Sequence, residues 1–218
     1  MTVADPGAPQ RLDPLSESPP IFPSPALDRL TRAHPVTPAL VFLPPVAVLS
    51  FAAARRMTVF DVLAIAAAGY LLWTLCEYWG HRLVFHFEPR RGLGARLHWM
   101  IHGVHHDHPN DPRRLVLPPA FSIPLALLFL ALFVAVLGTP TAWAALAGFY
   151  LGYVIYDGIH FALHHTRPRL KLGRRLRELH MRHHFEDDER GFGVSAPWWD
   201  VVFGTRPRQS RARAASRG

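Results

Sequence analysis

PAFSIPLALLFLALFVAVL (residues 119–137), the turn Gly138-Thr139-Pro140 and TAWAALAGFYLGYVIY (residues 141–156) make one run without a charged side chain. A helix rises about 1.5 Å per residue, so such blocks approach the roughly 30 Å of a bilayer core. The tight turn makes them a helical hairpin whose two ends return to one side. Working outward, residues 59–79 form another block of spanning length. Residues 38–54 are apolar but short and are interrupted by Pro44-Pro45, so they read either as an imperfect span or as a re-entrant piece. The expected fold is all-α, with about four transmembrane helices in two hairpins.

The chain has 218 residues, 50% of them hydrophobic and 18% charged, with a formal net charge of +8. Apolar residues gathered in long blocks exclude a disordered chain and argue against a water-soluble globule. A lone cysteine, Cys76, excludes a disulfide framework and a cysteine-based zinc finger. Residues 1–37 are rich in Pro, Ser and charge, lack a signal peptide's apolar centre, and read as a flexible N-terminal arm. Residues 38–206 read as the membrane domain, and 207–218 as a basic disordered tail.

Charge sets the expected orientation. All but one of the 24 basic residues are Arg, a usage that points to a high-GC bacterial gene. Only Arg55 and Arg56 lie in the link within the first hairpin, and the link within the second carries none. The positive-inside rule then puts both termini on the cytoplasmic side, of a bacterial inner membrane or of the endoplasmic reticulum in a eukaryote. Topology thus explains the +8, and nucleic acid is not expected as a partner.

Thirteen of the 14 histidines fall within residues 81–108 and 160–184, both on that cytoplasmic face. Each apolar pair is followed by two spaced histidines, then about 20 residues later by His-x-x-His-His, and the two His-x-x-His-His runs start 78 residues apart. This is a coarse internal duplication in which each half donates to a shared site.

The runs are His81-Arg82-Leu83-Val84-Phe85-His86, His102-Gly103-Val104-His105-His106, His160-Phe161-Ala162-Leu163-His164 and His180-Met181-Arg182-His183-His184. Helix positions i, i+3 and i+4 share a face, so His102, His105 and His106 can converge, as can His180, His183 and His184, and His160 with His164. His81 and His86 lie five apart, roughly 140° around an α-helix. Both can ligate only if the helix ends between them or they serve different metals. Adjacent histidines point about 100° apart, which suits two neighbouring ions better than one. Ten imidazoles exceed one ion's capacity, so a dinuclear site is the simplest assignment, and imidazole suits Fe, Zn, Cu or Ni. Neutral imidazoles cannot cancel the charge of two cations. Asp157, three residues before His160, and Glu77, four before His81, are placed to help. His98, His108 and His165 are not assigned as ligands, and His34 is given no role.

These residues resemble the fatty acid hydroxylase and sterol desaturase superfamily of histidine-box di-iron membrane oxygenases, most closely its fatty acid 2-hydroxylases. Beyond the boxes, the resemblance rests on Arg114-Leu115-Val116-Leu117-Pro118-Pro119, on Tyr156-Asp157, and on Gly191-Phe192-Gly193-Val194 with Trp199-Asp200-Val201-Val202-Phe203-Gly204-Thr205. It covers roughly residues 38–206. It implies a helical membrane stalk capped by a cytosolic helical domain, and two Fe ions held by His81, His86, His102, His105, His106, His160, His164, His180, His183 and His184. Zinc would fit the same ligands in a purified or inactive form. Eukaryotic members often carry an N-terminal cytochrome b5 domain. This sequence shows no His-Pro-Gly-Gly haem motif, so a separate cytochrome b5-like or ferredoxin-like electron donor is expected.

The expected activity is O2-dependent hydroxylation at C2 of a long-chain acyl group, free or within a sphingolipid, because an unactivated C–H bond yields to no side-chain acid or base. Tyr156 and Asp157 are candidates to orient substrate or oxygen. The alternatives are sterol or carotenoid oxidation by the same chemistry and, more remotely, a membrane metal transporter, whose sites would be expected within the spans. Leu170, Leu172, Leu176 and Leu179 among Arg174, Arg175 and Arg177 read as an interfacial or a solvated basic helix. Trp198-Trp199 reads as an interface belt or as packing beneath the metal domain.

Overall fold

The computed structural model describes residues 17–87, 89 and 91–208. The described residues are helical, with α1 Pro25–Leu30, α2 Thr37–Ala54, α3 Val59–Gly80, α4 Gly92–His98, α5 Val104–Asp107, α6 Pro119–Leu137, α7 Thr141–His165, α8 Lys171–Phe185 and α9 Trp198–Val202. Four stretches are long and apolar enough to cross a membrane: Thr37–Ala54, Val59–Phe85, Pro119–Leu137 and Thr141–His165. The second and fourth run past the blocks expected from sequence and carry histidines on their extensions.

α7 is the central post. In its apolar window 61% of residues are buried inside the protein, against 17%, 17% and 11% in the spans of α2, α3 and α6. Those three turn most of their side chains outward, as lipid-facing helices do. α6 and α7 form the expected hairpin, whereas α2 and α3 pack chiefly on α7 and only weakly on each other. Aromatic rings knit this core: Phe42 lies edge-on to Tyr153 at 4.7 Å and Trp73 edge-on to Phe149 at 5.2 Å.

Glycine permits the closest crossing. A Cβ on Gly148 would lie 1.8 Å from the carbonyl oxygen of Ala66, and one on Gly69 would lie 2.0 Å from that of Ala145. α3 and α7 therefore touch backbone to backbone, the small-residue packing available to helices that have no hydrophobic force between them in lipid. This contact carries both histidine-bearing helix ends upward side by side.

Two expectations change. Pro44 and Pro45 do not break the first span, because α2 continues through them. In a membrane, proline costs local backbone bonds that surrounding helices and small adjustments accommodate. The N-terminal arm is also not free over its described part. From Ser18 it folds across the 111–116 segment, with Ile21 and Ala33 buried. The Arg114 guanidinium is the anchor, donating to Asp28 Oδ1 at 3.0 Å, to the Thr31 carbonyl at 3.1 Å and to Ser18 Oγ at 3.1 Å. Arg32 joins Asp28 at 2.9 Å and Asp111 at 3.3 Å. Polar composition hid this strap, since much of its cohesion is ionic. Residues 1–16 and 209–218, with most of the expected tail, lie outside the described residues.

Candidate metal centre

The ten expected histidines gather into two groups of five. His81, His86, His102, His106 and His183 form one, and His105, His160, His164, His180 and His184 the other. Within each group one ring nitrogen per residue lies within 4.8 Å of all the others. His34, His98, His108 and His165 belong to neither. His98 instead hydrogen-bonds the Phe85 carbonyl, and His165 stacks on Phe161 at 4.4 Å.

Local helix geometry makes this sorting. The chain leaves α3 through a π-helical turn, His81–Phe85, closed by the His86 amide donating to the His81 carbonyl at 3.1 Å. Five residues then bring the chain back to the same face. His81 and His86 therefore meet, with Nε2 atoms 3.2 Å apart, although α-helical spacing set them 140° apart. A second π-helical turn, Trp99–Gly103, carries His102. Phe85 stacks on the His102 ring at 4.9 Å and holds it in place. In each His-x-x-His-His run the outer pair, spaced i, i+4, stays with its own half. The middle residue, His105 or His183, crosses to the other group. Adjacent histidines thus serve different groups, as their angular separation suggested.

The first group is oriented from behind by backbone. His81 Nδ1 pairs with the Phe192 carbonyl at 2.7 Å and His183 Nδ1 with the Arg190 carbonyl at 2.8 Å. Each pairing turns Nε2 toward the centre and fixes the tautomer, the usual role of an outer partner at a metal ligand. Asp200 holds the loop that supplies these carbonyls, accepting from the Phe192 and Gly193 amides at 2.9 Å each and from Thr205 Oγ1 at 2.8 Å. Tyr78 completes the chain of contacts, its hydroxyl 2.8 Å from Thr205 Oγ1. Burial pushes the Asp200 carboxyl above its usual range, against these hydrogen bonds. Asp200 sits in the Trp199–Thr205 stretch that carries the family resemblance, but a single carboxylate there has no periodic signal to mark its task.

The donor chemistry fits metal ions. Both nitrogens of His105, His160 and His184, with His106 Nε2, His180 Nδ1 and His183 Nε2, are buried without a protein partner. Leaving such groups unsatisfied costs about 1–3 kcal/mol each. Burial and repulsion by neighbouring imidazoles hold His86 down at about 3 and His106 at about 2, and push His102, His105, His180 and His184 well below the usual range. The rings are therefore neutral, as ligands must be. Nε2–Nε2 separations of 3.2 Å for His81–His102 and 2.8 Å for His164–His180 match neighbouring ligands about 2.0–2.1 Å from one ion.

The two expected carboxylates take separate paths, and neither joins a group. Glu77 is engaged by Ser195, whose amide donates at 2.7 Å and whose hydroxyl donates to the second oxygen. It tethers α3 to the C-terminal loop instead of backing a histidine. Asp157 is 3% exposed, and its Oδ2 has no protein partner. Tyr156 lies against the His160 ring at 5.6 Å.

Both groups open onto one cavity of about 380 Å³. His81, His102, His105 and His160 line one part of it with Glu77, Tyr156 and Asp157; Trp73, Val116, Leu117, Leu125 and Phe129 are among the apolar residues of its other walls, and Arg114 and Thr31 also reach it. A smaller apolar cleft, about 40 Å³, shares Trp73, Leu125 and Phe129 with this lining and reaches Phe42. The cavity therefore sets a polar, histidine-lined end against an apolar wall that residues of the spanning helices help to form. Trp199 packs beneath this domain, donating to Thr74 Oγ1 at 3.1 Å, and Trp198 stays exposed.

A family model described as fatty acid hydroxylase matches residues 66–205. The chain is 39% identical over 195 residues to the dihydroceramide fatty acyl 2-hydroxylase FAH2 of Arabidopsis thaliana, spanning 88% of this chain and 81% of that one. It is 36% identical over 182 residues to the ceramide very long chain fatty acid hydroxylase SCS7 of Saccharomyces cerevisiae, spanning 82% of this chain but 47% of the relative. A solved structure titled full length scs7p, with only the hydroxylase domain visible, superposes with a TM-score of 0.79 at 36% identity, covering 83% of this chain and 69% of that one.

Proposed function

Since the chain belongs to the fatty acid hydroxylase family, we propose that it is a membrane oxidoreductase that hydroxylates long-chain acyl groups, free or in a sphingolipid, at C2. The observation that carries this reading is the pair of five-histidine groups opening onto one cavity whose remaining lining is largely apolar. A lipid tail lying along the apolar wall of this cavity brings the carbons nearest its head beside the histidines.

His81, His86, His102, His106 and His183 would hold one iron ion, and His105, His160, His164, His180 and His184 the other. Bound there, the irons supply the reductive activation of O2 that an unactivated C–H bond requires. Zinc fits the same imidazoles but has no redox chemistry. The overall change is R–H + O2 + 2 e⁻ + 2 H⁺ → R–OH + H2O, so an electron donor must act, which we take to be a separate cytochrome b5-like or ferredoxin-like protein. The protein's own residues fix the geometry. Trp73, Leu125 and Phe129 hold the tail and exclude water, which sets which carbon is presented. The unpartnered Asp157 Oδ2, with Tyr156 beside it, accepts a hydrogen bond from the lipid's polar head. The distribution of Arg supports a centre on the cytoplasmic face.

The test is aerobic incubation of the iron-loaded, reduced protein with ceramide and with free fatty acid under 18O2, followed by lipid mass spectrometry. Label in a 2-hydroxyacyl product is expected. Unmodified acyl chains, or oxidation confined to sterols or carotenoids, would overturn the assignment.

A further inference from the structure

Between Arg167 and Arg182 the chain carries seven basic residues against the single acid Glu178. These residues build a surface groove along α8, in which Arg167, Arg174 and Arg177, with the buried Arg182 and the carboxylates Glu178 and Glu186, surround Met181 and the exposed Phe185. The opposite face of the same helix carries His180, His183 and His184 into the two histidine groups. A helix with its side chains is about 10–12 Å across, so the groove is one helix width from the centre.

We propose that this groove is the docking site for an acidic one-electron carrier protein. The inference rests on the hydroxylase reading, which needs two electrons per turnover from outside the chain. Charge complementarity names the partner: a basic rim around an apolar middle suits an acidic protein surface, with charge steering the encounter and Met181 and Phe185 giving contact area. Glu178 pairs with Arg175 and Arg182 at 2.9 and 2.7 Å, which leaves Arg167, Arg174 and Arg177 to carry the positive charge of the rim. Beyond Phe185 the sequence turns acidic, Glu186-Asp187-Asp188-Glu189. This run repels an acidic partner at one end and leaves it a single register.

The experiment measures binding of two probes, an acidic [2Fe–2S] ferredoxin and the soluble haem domain of a cytochrome b5, to the full chain in lipid nanodiscs. Binding is expected to weaken with salt as the Debye length falls from about 30 Å at 0.01 M to about 8 Å at 0.15 M. The double variant Arg174→Glu, Arg177→Glu should weaken it about tenfold or more, whereas Arg55→Glu, in the α2–α3 link, should not. Arg174→Gln with Arg177→Gln gives a milder loss and serves if the reversal does not fold. Unchanged affinity in a folded variant overturns the proposal. So does a reversal that alters only the preference for phosphatidylglycerol over phosphatidylcholine nanodiscs, which would make the groove a lipid contact. Dithionite-driven hydroxylation, read separately, isolates the parent reading. Its absence, with carrier binding still lost on reversal, overturns the hydroxylase reading alone.

Discussion

His81 and His86 are joined twice: the His86 amide donates to the His81 carbonyl at 3.1 Å, and their Nε2 atoms stand 3.2 Å apart. The same five-residue turn that closes the backbone bond aligns the rings. π-helical turns are rare and concentrate at functional sites. Here the turn ends a membrane-length helix and brings His81 and His86 into one five-histidine group.

Removing either crossing histidine should empty the group built by the other half. His183→Ala is expected to lower metal in the first group, and His105→Ala in the second. Each should retain about one ion per chain when assayed by elemental analysis. Hydroxylation should fall beyond the roughly 10–100-fold typical of losing only an outer partner. Two ions retained in either variant would contradict the grouping.

Gly148→Leu should separate α3 from α7. A Cβ there already meets the Ala66 carbonyl at 1.8 Å, so the backbone itself must move. Overpacking of this kind costs about 1–3 kcal/mol or more. Both a lower thermal midpoint and reduced metal content are expected, since the two helices carry His81, His160 and His164.

Asp28→Asn should loosen the N-terminal strap in a pH-dependent way. Burial works to raise the Asp28 carboxyl, but hydrogen bonds from Arg32, the Ile21 amide and Arg114 outweigh it and bring it down to about 2. A depressed carboxylate contributes stability that is full above its unfolded value, about 3.9, and is lost as pH falls through the folded one. The difference between wild type and variant, read by limited proteolysis before Thr37, should hold constant from about pH 8 to 5. It should narrow below about pH 4. A gap that widens on acidification would refute the assignment.

Asp157→Leu should keep both ions while slowing hydroxylation by about 10–100-fold, the scale of a misplaced substrate. Elemental analysis paired with turnover measurement checks this. Loss of metal would instead make Asp157 a structural support for His160.

The spans and the ten histidines were legible in the sequence because both are patterns: long uncharged blocks, and imidazoles at helical spacing in a repeated order. What was not legible lies where pattern gives way to single contacts. Nothing in His81-Arg82-Leu83-Val84-Phe85-His86 announces a widened turn, which depends on partners such as the Phe192 carbonyl more than 100 positions later. The strap around Arg114 escaped because polar, proline-rich sequence resembles a linker until the buried guanidinium gathering it is seen. Glu77 was noticed by spacing from His81, but its partner Ser195 lies 118 residues away, so proximity along the helix suggested the wrong neighbour.

The exchange of His105 and His183 makes each histidine group depend on both halves of the chain. A polypeptide containing only one half would hold four imidazoles for its own ion and a fifth aimed outward, and so could complete no ring alone. Two such polypeptides side by side could complete both. Neither half of the chain by itself supplies all five imidazoles of either group, so the two halves must dock correctly before either group is whole.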